Sequence, residues 1–399
     1  MKKIIKTELK FDSRNLEYLL TILNNNAESR IIGGAIRDAL LGIKKTDIDI
    51  ATQMLPSQVI AVLNKENIRN IPTGILHGTI TAFIGSESFE ITTLRKDVEC
   101  YGRNAKIEFT DSFAEDSNRR DFTINALSYD FFNKIIYDYH SGYEDLKRAE
   151  VLFIGDPEER IKEDFLRILR YFRFSSNYSK EFDINALKAC EKFASNIEKL
   201  SKERINTELK KIIASKQYLK TIQLMIDTKI TNYIFEDVII SLDYIQKLEK
   251  NDLEIIEKLF LLLYDNSIDR IYKILKKLRF SNKEIIQIKE IKSFIDHVKK
   301  YDLDFSIKYY KLSNSKYINS FLKIVPFILD IDYNTQLIEY YNNMLIPKLP
   351  IDGIDLKNAG LMGNNIGINL ESIKHDWIKS NFSITKIDII NNLKSTNKT

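Results

Sequence analysis

The chain has 399 residues, of which 44% are hydrophobic and 29% charged, and a formal net charge of +4. That length accommodates two or three domains around a large core, and the composition excludes disordered and fibrous classes. The mild charge means that any nucleic-acid binding must rest on local basic patches rather than on the total.

Two distant cysteines, Cys100 and Cys190, and four scattered histidines argue against a disulfide framework or a structural zinc site. No apolar run approaches the length of a membrane span. The start, MKKIIKTELKFDSRN, is charged throughout and lacks the apolar stretch of a signal peptide. A reduced, cytoplasmic, soluble protein is expected.

In chain order, the first informative stretch is Gly33–Thr52, GGAIRDALLGIKKTDIDIAT. It predicts a short strand at Ile31-Ile32, a Gly33-Gly34 turn, a helix to Leu41, a turn at Gly42 and a strand through Asp47–Ile50. Alternation on that strand puts Asp47 and Asp49 on one side and Ile48 and Ile50 on the other. Adjacent carboxylates repel, and a hard cation such as Mg²⁺, with positions open to substrate phosphates, relieves the conflict. Glycines at the start of a helix let an anion approach backbone N–H groups, and Arg37 can add a charged fork to the same phosphates. Taken singly, a Gly-Gly turn is common and an Asp-x-Asp is more often a solvated edge. Together they point to nucleotidyl transfer.

A helix is predicted over Pro56–Asn64, with proline in its first turn. Strands at Gly78–Ile84 and Ser88–Leu94 should form a hairpin around Gly85-Ser86. Glu90 faces away from Phe89 and Ile91 and is either a solvated strand residue or a third carboxylate beside the Asp pair. Arg95–Ala105 reads as a charged loop around Gly102. In RRDFTINAL, Arg120 and Thr123 would share one side of a helix anchored by Phe122 and Ile124. Asp138–Leu146 follows as DYHSGYEDL, in which His140 reads as structural.

Glycine and proline then vanish. No glycine falls between Asp156 and Asp352 and no proline between Glu158 and Val325, which predicts a long helical region. Its first helix, Asp156–Phe174, starts at an Asp156 cap with Pro157. It should bury Ile161, Phe165, Ile168 and Phe172, leaving Arg160, Asp164, Arg167 and Tyr171 on another face. The Asp164–Arg167 pair is either a surface ion pair worth about 0.2–0.5 kcal/mol or a reader of nucleobases. Cytosine and adenine each present an amine beside a ring-nitrogen acceptor, which a carboxylate and a guanidinium can meet. Uracil and guanine present the reverse. Arg170 and Arg173 would hold phosphates or support the neighbouring helices.

These strings, GGAIRDALLGIKKTDIDIAT, RRDFTINAL, DYHSGYEDL, EDFLRILRYFRF and SKERINTELKKI, resemble in order the motifs of the class II CCA-adding tRNA nucleotidyltransferase and bacterial poly(A) polymerase family. The resemblance covers residues 30–212, and more weakly 350–390, where LPIDGIDLKNAGLMGNNIGINLESI looks like a small tail module binding substrate RNA. It implies an α/β nucleotidyltransferase head (a mixed β-sheet with flanking helices) at 1–150. An all-α neck at 151–215, body at 216–345 and tail at 346–399 would follow.

It also implies that Asp47, Asp49 and Glu90 hold two Mg²⁺ about 3.5–4 Å apart and that Gly33, Gly34 and Arg37 bind the triphosphate. Arg120 would touch the nucleotide, Asp121 and Asn125 would help to select a ribose, and Asp164 and Arg167 would read the base. The implied activity is template-independent transfer of CMP and AMP, from CTP and ATP, to a tRNA 3′ end. The alternatives are a poly(A) polymerase of the same superfamily, a CC-only or A-only enzyme, or a catalytically silent RNA-binding relative. His375-Asp376 does not suffice for an HD phosphohydrolase domain, which is expected to be absent. The sequence leaves the oligomeric state open.

Overall fold

Strict alternation of apolar and acidic residues sets the first sheet. Ile48, Ile50, Phe89 and Ile91 are each at most 1% exposed, whereas the intervening Asp49 and Glu90 are exposed. A computed structural model describes residues 3–44, 47–101, 104–246, 253–329 and 335–396. The chain divides into two compact units, Met1–Asp237 and Val238–Thr399. The expected head and neck both fall within the first.

The first unit opens with β1 (Lys3–Lys6), α1 (Leu16–Asn24), β2 (Ser29–Ile32), α2 (Gly34–Leu40), β3 (Asp49–Thr52) and α3 (Pro56–Lys65). Then come β4 (Arg69–Gly74), β5 (Thr79–Ile84), β6 (Glu87–Thr93), β7 (Arg95–Tyr101), β8 (Asn104–Phe109) and α4 (Phe113–Asn118). The head closes with β9 (Ser128–Asp130), β10 (Ile135–Asp138) and α5 (Gly142–Arg148). Eight strands form one mixed sheet in the order β1-β10-β9-β2-β3-β6-β5-β4. β3 and β6 run parallel, with Asp49 opposite Glu90. The other pairings are antiparallel. One face packs under α1 and α3 through Leu19, Leu20, Leu23, Val59 and Leu63, each buried side chain contributing roughly 1.5–3 kcal/mol. The other face carries the acids.

Four expectations are corrected here. Arg95–Ala105 is not a loop: β7 and β8 pair as a separate two-stranded ribbon. Charges pair across it, as Lys96 does with Glu108 at 3.3 Å. Gly102 lies outside the described residues. The RRDFTINAL segment is not a helix. After α4 it runs extended, bridging Phe122 to Phe153, and then makes a single 3₁₀ turn at Thr123–Asn125. The Asp121 carboxylate there accepts the Phe122 N–H and the Asn125 amide, a local alternative to helical hydrogen bonding.

The expected single helix over Asp156–Phe174 is two, α6 (Pro157–Glu163) and α7 (Leu166–Tyr178). Asp164 is extended between them (φ −153°, ψ 109°) and accepts the Leu166 N–H at 3.1 Å. Its side chain interrupts one helix and starts the next. Tyr171, expected on the polar face, is fully buried and stacks on Phe153 at 5.5 Å. The unit ends with α8 (Ile184–Lys192), α9 (Lys202–Ile213), α10 (Tyr218–Asp227) and α11 (Ile230–Phe235). Ile205, Leu209 and Ile212 of α9 are buried, as are Ile168, Leu169 and Phe172 of α7, the helix it packs against.

Among the described residues of the second unit, every regular element is a helix. Its longest helix, Asn282–Lys300, begins with a Ser281/Glu284 capping box and buries Ile288, Ile291, Phe294 and Ile295. A small cluster of Ile351, Leu356 and Ile389 joins the last three helices. His375 sits in an aromatic group, its ring 4.9 Å from Tyr301 and 5.1 Å from Phe305. No helix of the described residues is long and apolar enough to cross a membrane.

Candidate active site

The polar face of the sheet opens into a cavity of about 710 Å³ within the first unit. From the strands it is lined by Asp49, Ser88 and Glu90, from the segment just before β3 by Asp47, and from the start of α2 by Gly34 and Arg37. The segment after α4 contributes Arg119, Arg120, Asp121 and Asn125, and α7 with α9 contributes Arg167, Arg170, Arg173, Phe174, Arg204 and Lys211, beside Asp164. Every residue expected to hold the metal or the nucleotide lines this one space except Gly33.

Gly33 serves the turn itself. Its φ of +68° suits glycine, and a Cβ there would stand 3.1 Å from Arg120 Nη1. Its N–H donates to the Leu127 carbonyl at 3.0 Å. Arg37 is 3% exposed. Its Nε and Nη2 pair with Asp38 at 2.9 Å, Nη1 donates to Asn125 Oδ1, and the guanidinium lies 4.1 Å over the Tyr178 ring. Arg37 therefore ties α2 to the Thr123–Asn125 turn and to the C-terminal end of α7, as well as lining the cavity.

The turn is itself held from below. The buried Asp138 carboxylate accepts the N–H groups of His140, Gly142 and Tyr143. A Cβ on Gly142 would fall 2.0 Å from the Thr123 carbonyl oxygen, so only glycine fits. His140, as expected, has a structural partner: its Nε2 lies 2.9 Å from Ser117 Oγ.

Arginines opposite the sheet are organised by buried acids. Asp116 takes Arg119 at 2.8 Å and Arg120 at 3.0 Å. Burial alone would raise its carboxyl, but the charges of Arg120 and Arg119 prevail and hold it below the ordinary value. Asp121 behaves likewise: burial opposes ionisation, and the Arg170 charge with the Asn125 hydrogen bond outweighs it. Arg170 Nε meets Asp121 Oδ2 at 2.6 Å and Arg173 Nε meets Glu208 at 2.5 Å. Burial pulls Arg95, at the base of the β7–β8 ribbon, down to about 10.

Asp164 and Arg167 do not pair with each other. Arg204 of α9 grips both Asp164 oxygens, at 3.2 and 2.6 Å. Arg167 donates from Nη1 to Glu163 and to the Arg160 carbonyl, and from Nη2 to the Arg119 carbonyl at 3.1 Å. Arg160 grips Glu163 and the carbonyls of Asn118 and Arg120. The α6–α7 corner is thus clamped onto the segment carrying Arg119 and Arg120. Sequence reasoning left Arg119, Arg204 and Lys211 out of the site. Arg119 was visible as the first of a doubled arginine, but the other two lie in an ordinary charged helix whose facing only packing decides.

No three acidic, histidine or cysteine side chains among the described residues gather into a ready-made metal cage. Asp47 and Asp49 face one cavity with Glu90 beside them in register. Hard oxygen donors of this kind fit a divalent cation whose remaining positions are filled by water and phosphate.

A mixed sheet presenting these acids to an arginine-lined helical neck defines a nucleotidyltransferase, and the chain is an enzyme of that class. The family model described as "Poly A polymerase head domain" matches residues 29–152. The one described as "Probable RNA and SrmB- binding site of polymerase A" matches residues 181–240. The chain is 34% identical over 389 residues to the human "CCA tRNA nucleotidyltransferase 1, mitochondrial", covering 94% of this chain and 88% of that protein. It is 31% identical over 383 residues to the CCA-adding enzyme of Ligilactobacillus salivarius, covering 92% of each.

Among solved structures, the Bacillus stearothermophilus CCA-adding enzyme in complex with CTP superposes with a TM-score of 0.78 at 21% identity, over 97% of this chain and 98% of that one. The Thermotoga maritima CCA-adding enzyme complexed with tRNA gives 0.65 at 18% identity, over 96% of each. The chain belongs to the class II family of CCA-adding tRNA nucleotidyltransferases and poly(A) polymerases.

Proposed function

We propose that this enzyme adds CMP and then AMP, from CTP and ATP, to the 3′ end of tRNA, restoring CCA without a nucleic-acid template. What carries the reading is that the strand acids and the Asp164/Arg167 corner line one cavity of nucleotide size. Asp47 and Asp49, with Glu90 alongside, would hold Mg²⁺. Bound there, the cation would polarise phosphate oxygens and favour ionisation of the attacking hydroxyl. The tRNA 3′-oxygen bonds to the α-phosphorus while the bond to the bridging oxygen breaks and pyrophosphate leaves. Arg119 and Arg120, held side by side by Asp116, supply positive charge to the triphosphate.

The selection of bases follows from donor and acceptor arithmetic. A carboxylate has about four lone-pair sites and a guanidinium five N–H donors. Asp164 accepts from Leu166 and twice from Arg204, and Arg167 donates through three of its hydrogens. One acceptor site and two donors are left for a base edge. Cytosine and adenine satisfy both. Uracil and guanine turn an acceptor toward Asp164, a mismatch costing about 1–3 kcal/mol or more. Asp121 and Asn125, near the sugar, suit ribose selection. Residues 346–399 are proposed to contact the tRNA, and a reducing compartment such as the cytoplasm suits the buried, unpaired Cys190.

Incubation of the pure protein with tRNA lacking CCA, supplying each nucleoside triphosphate singly and then CTP with ATP, tests the reading. Two C residues and then one A are expected. Long A tails without C addition would assign a poly(A) polymerase instead.

A further inference from the structure

We propose that Arg204 is a positioning residue for base selection: its guanidinium fixes the direction of the Asp164 carboxylate. The inference rests on the base-reading role proposed for Asp164. Asp164 is not carried by a helix, because its backbone is extended in the break between α6 and α7. Helical rigidity therefore does not aim its side chain. Two contacts do: the Leu166 N–H on Oδ1, and the Arg204 fork on both oxygens. The fork comes from α9, 40 positions downstream of Asp164, so aim depends on how α9 packs on α7.

That packing is firm. Ile205, Leu209 and Ile212 are fully buried, Glu208 of α9 grips Arg173 of α7, and Ser176 and Ser215 hydrogen-bond beneath. Arg204 also lines the cavity, with its side chain 24% exposed and that of Asp164 21%. The pair therefore borders the space in which Asp164 would meet a base.

The chemistry requires arginine. A planar fork engages both carboxylate oxygens and leaves the plane of the carboxylate fixed, whereas an ammonium offers a point charge that allows rotation. Engagement of three acceptor sites also leaves Asp164 one direction in which to receive an exocyclic amine. With that direction lost, the carboxylate can turn aside from a uracil carbonyl, and the penalty that excludes UTP fades.

The test compares the full-length wild type with Arg204→Lys, Arg204→Gln, Asp164→Ala and the Asp164→Ala/Arg204→Lys double variant, on tRNA lacking CCA. The readout is the ratio of kcat/KM for CTP over that for UTP, with melting temperature measured alongside. Arg204→Lys is expected to lower the ratio by about tenfold, as a non-conservative change at a bidentate site. Arg204→Gln should do so at least as strongly, and the double variant should match Asp164→Ala alone, because the two residues act through one carboxylate.

A wild-type ratio in both Arg204 variants, with a loosened one in Asp164→Ala, overturns the positioning role and leaves the base-reading role standing. So does an equal fall of turnover with both nucleotides, which a merely structural contact would produce. An unchanged ratio in Asp164→Ala overturns the base-reading role and the inference with it.

Discussion

The two walls of the cavity are built on opposite principles. On the sheet wall, Asp47, Asp49 and Glu90 are exposed side chains over a core complete without them, since Ile48, Ile50 and Ile91 are buried on the other face. On the facing wall the arginines are locked to acids, several of them buried: Asp116 to Arg119 and Arg120, Asp121 to Arg170, Glu208 to Arg173. The first wall can change charge without losing the fold. The second cannot, because removing one partner strands another in a poorly solvated place. Chemistry and stability are therefore separable on one side of the substrate and joined on the other.

The sharpest way to break this comparison is Asp47→Ala. It should lower nucleotide incorporation by about a thousandfold or more, change unfolding free energy by less than about 0.5 kcal/mol, and leave tRNA binding nearly intact. Extension assays, denaturant melts and gel-shift titrations check the three parts, and a large loss of stability would erase the distinction. Asp121→Ala should do the opposite in proportion, costing about 3 kcal/mol in denaturant unfolding because Asn125, the Phe122 N–H and Arg170 all lose their acceptor.

Gly142→Ala should destabilise by about 2 kcal/mol or more, because its methyl group would meet the Thr123 carbonyl at 2.0 Å. Activity should suffer through the displaced Asn125–Arg37 link, with nucleotide affinity falling together with melting temperature. The smallest effect concerns pH. Asp116 and Asp121 titrate below their ordinary value in the folded protein. Their stabilisation is therefore complete above about pH 4 and is lost as pH falls through the lower folded values. Acid titration of Asp121→Asn should show a shallower loss of melting temperature below pH 4 than the wild type does.

The same contrast explains what could be read beforehand. Strand periodicity is a local signal, and DIDI and SFEI announced both the buried face and the acids aligned on the other. The neck wall was legible as chemistry but not as geometry. EDFLRILRYFRF has helical spacing throughout, and the spacing does not reveal that Asp164 breaks it: the break is held by the Leu166 N–H nearby and by Arg204 on a distant helix. Likewise the crowded charges of RKDVECYGRNA read locally as a loop, and only pairing with β8 makes the stretch a strand. One turn after the glycines, Arg37 reads locally as a phosphate ligand. Its burial against Asp38, Asn125 and Tyr178 depends on contacts from three other segments.

The most direct test of the shared cavity is base choice in Arg167→Ala, measured as incorporation of each of the four nucleotides onto tRNA lacking CCA. Loss of two base-facing donors should cut the preference for C and A over U and G by about tenfold or more while incorporation itself persists. Strict selection of C and A by that variant would contradict the account, because the acids of the sheet would then be working on a nucleotide that the opposite wall does not read.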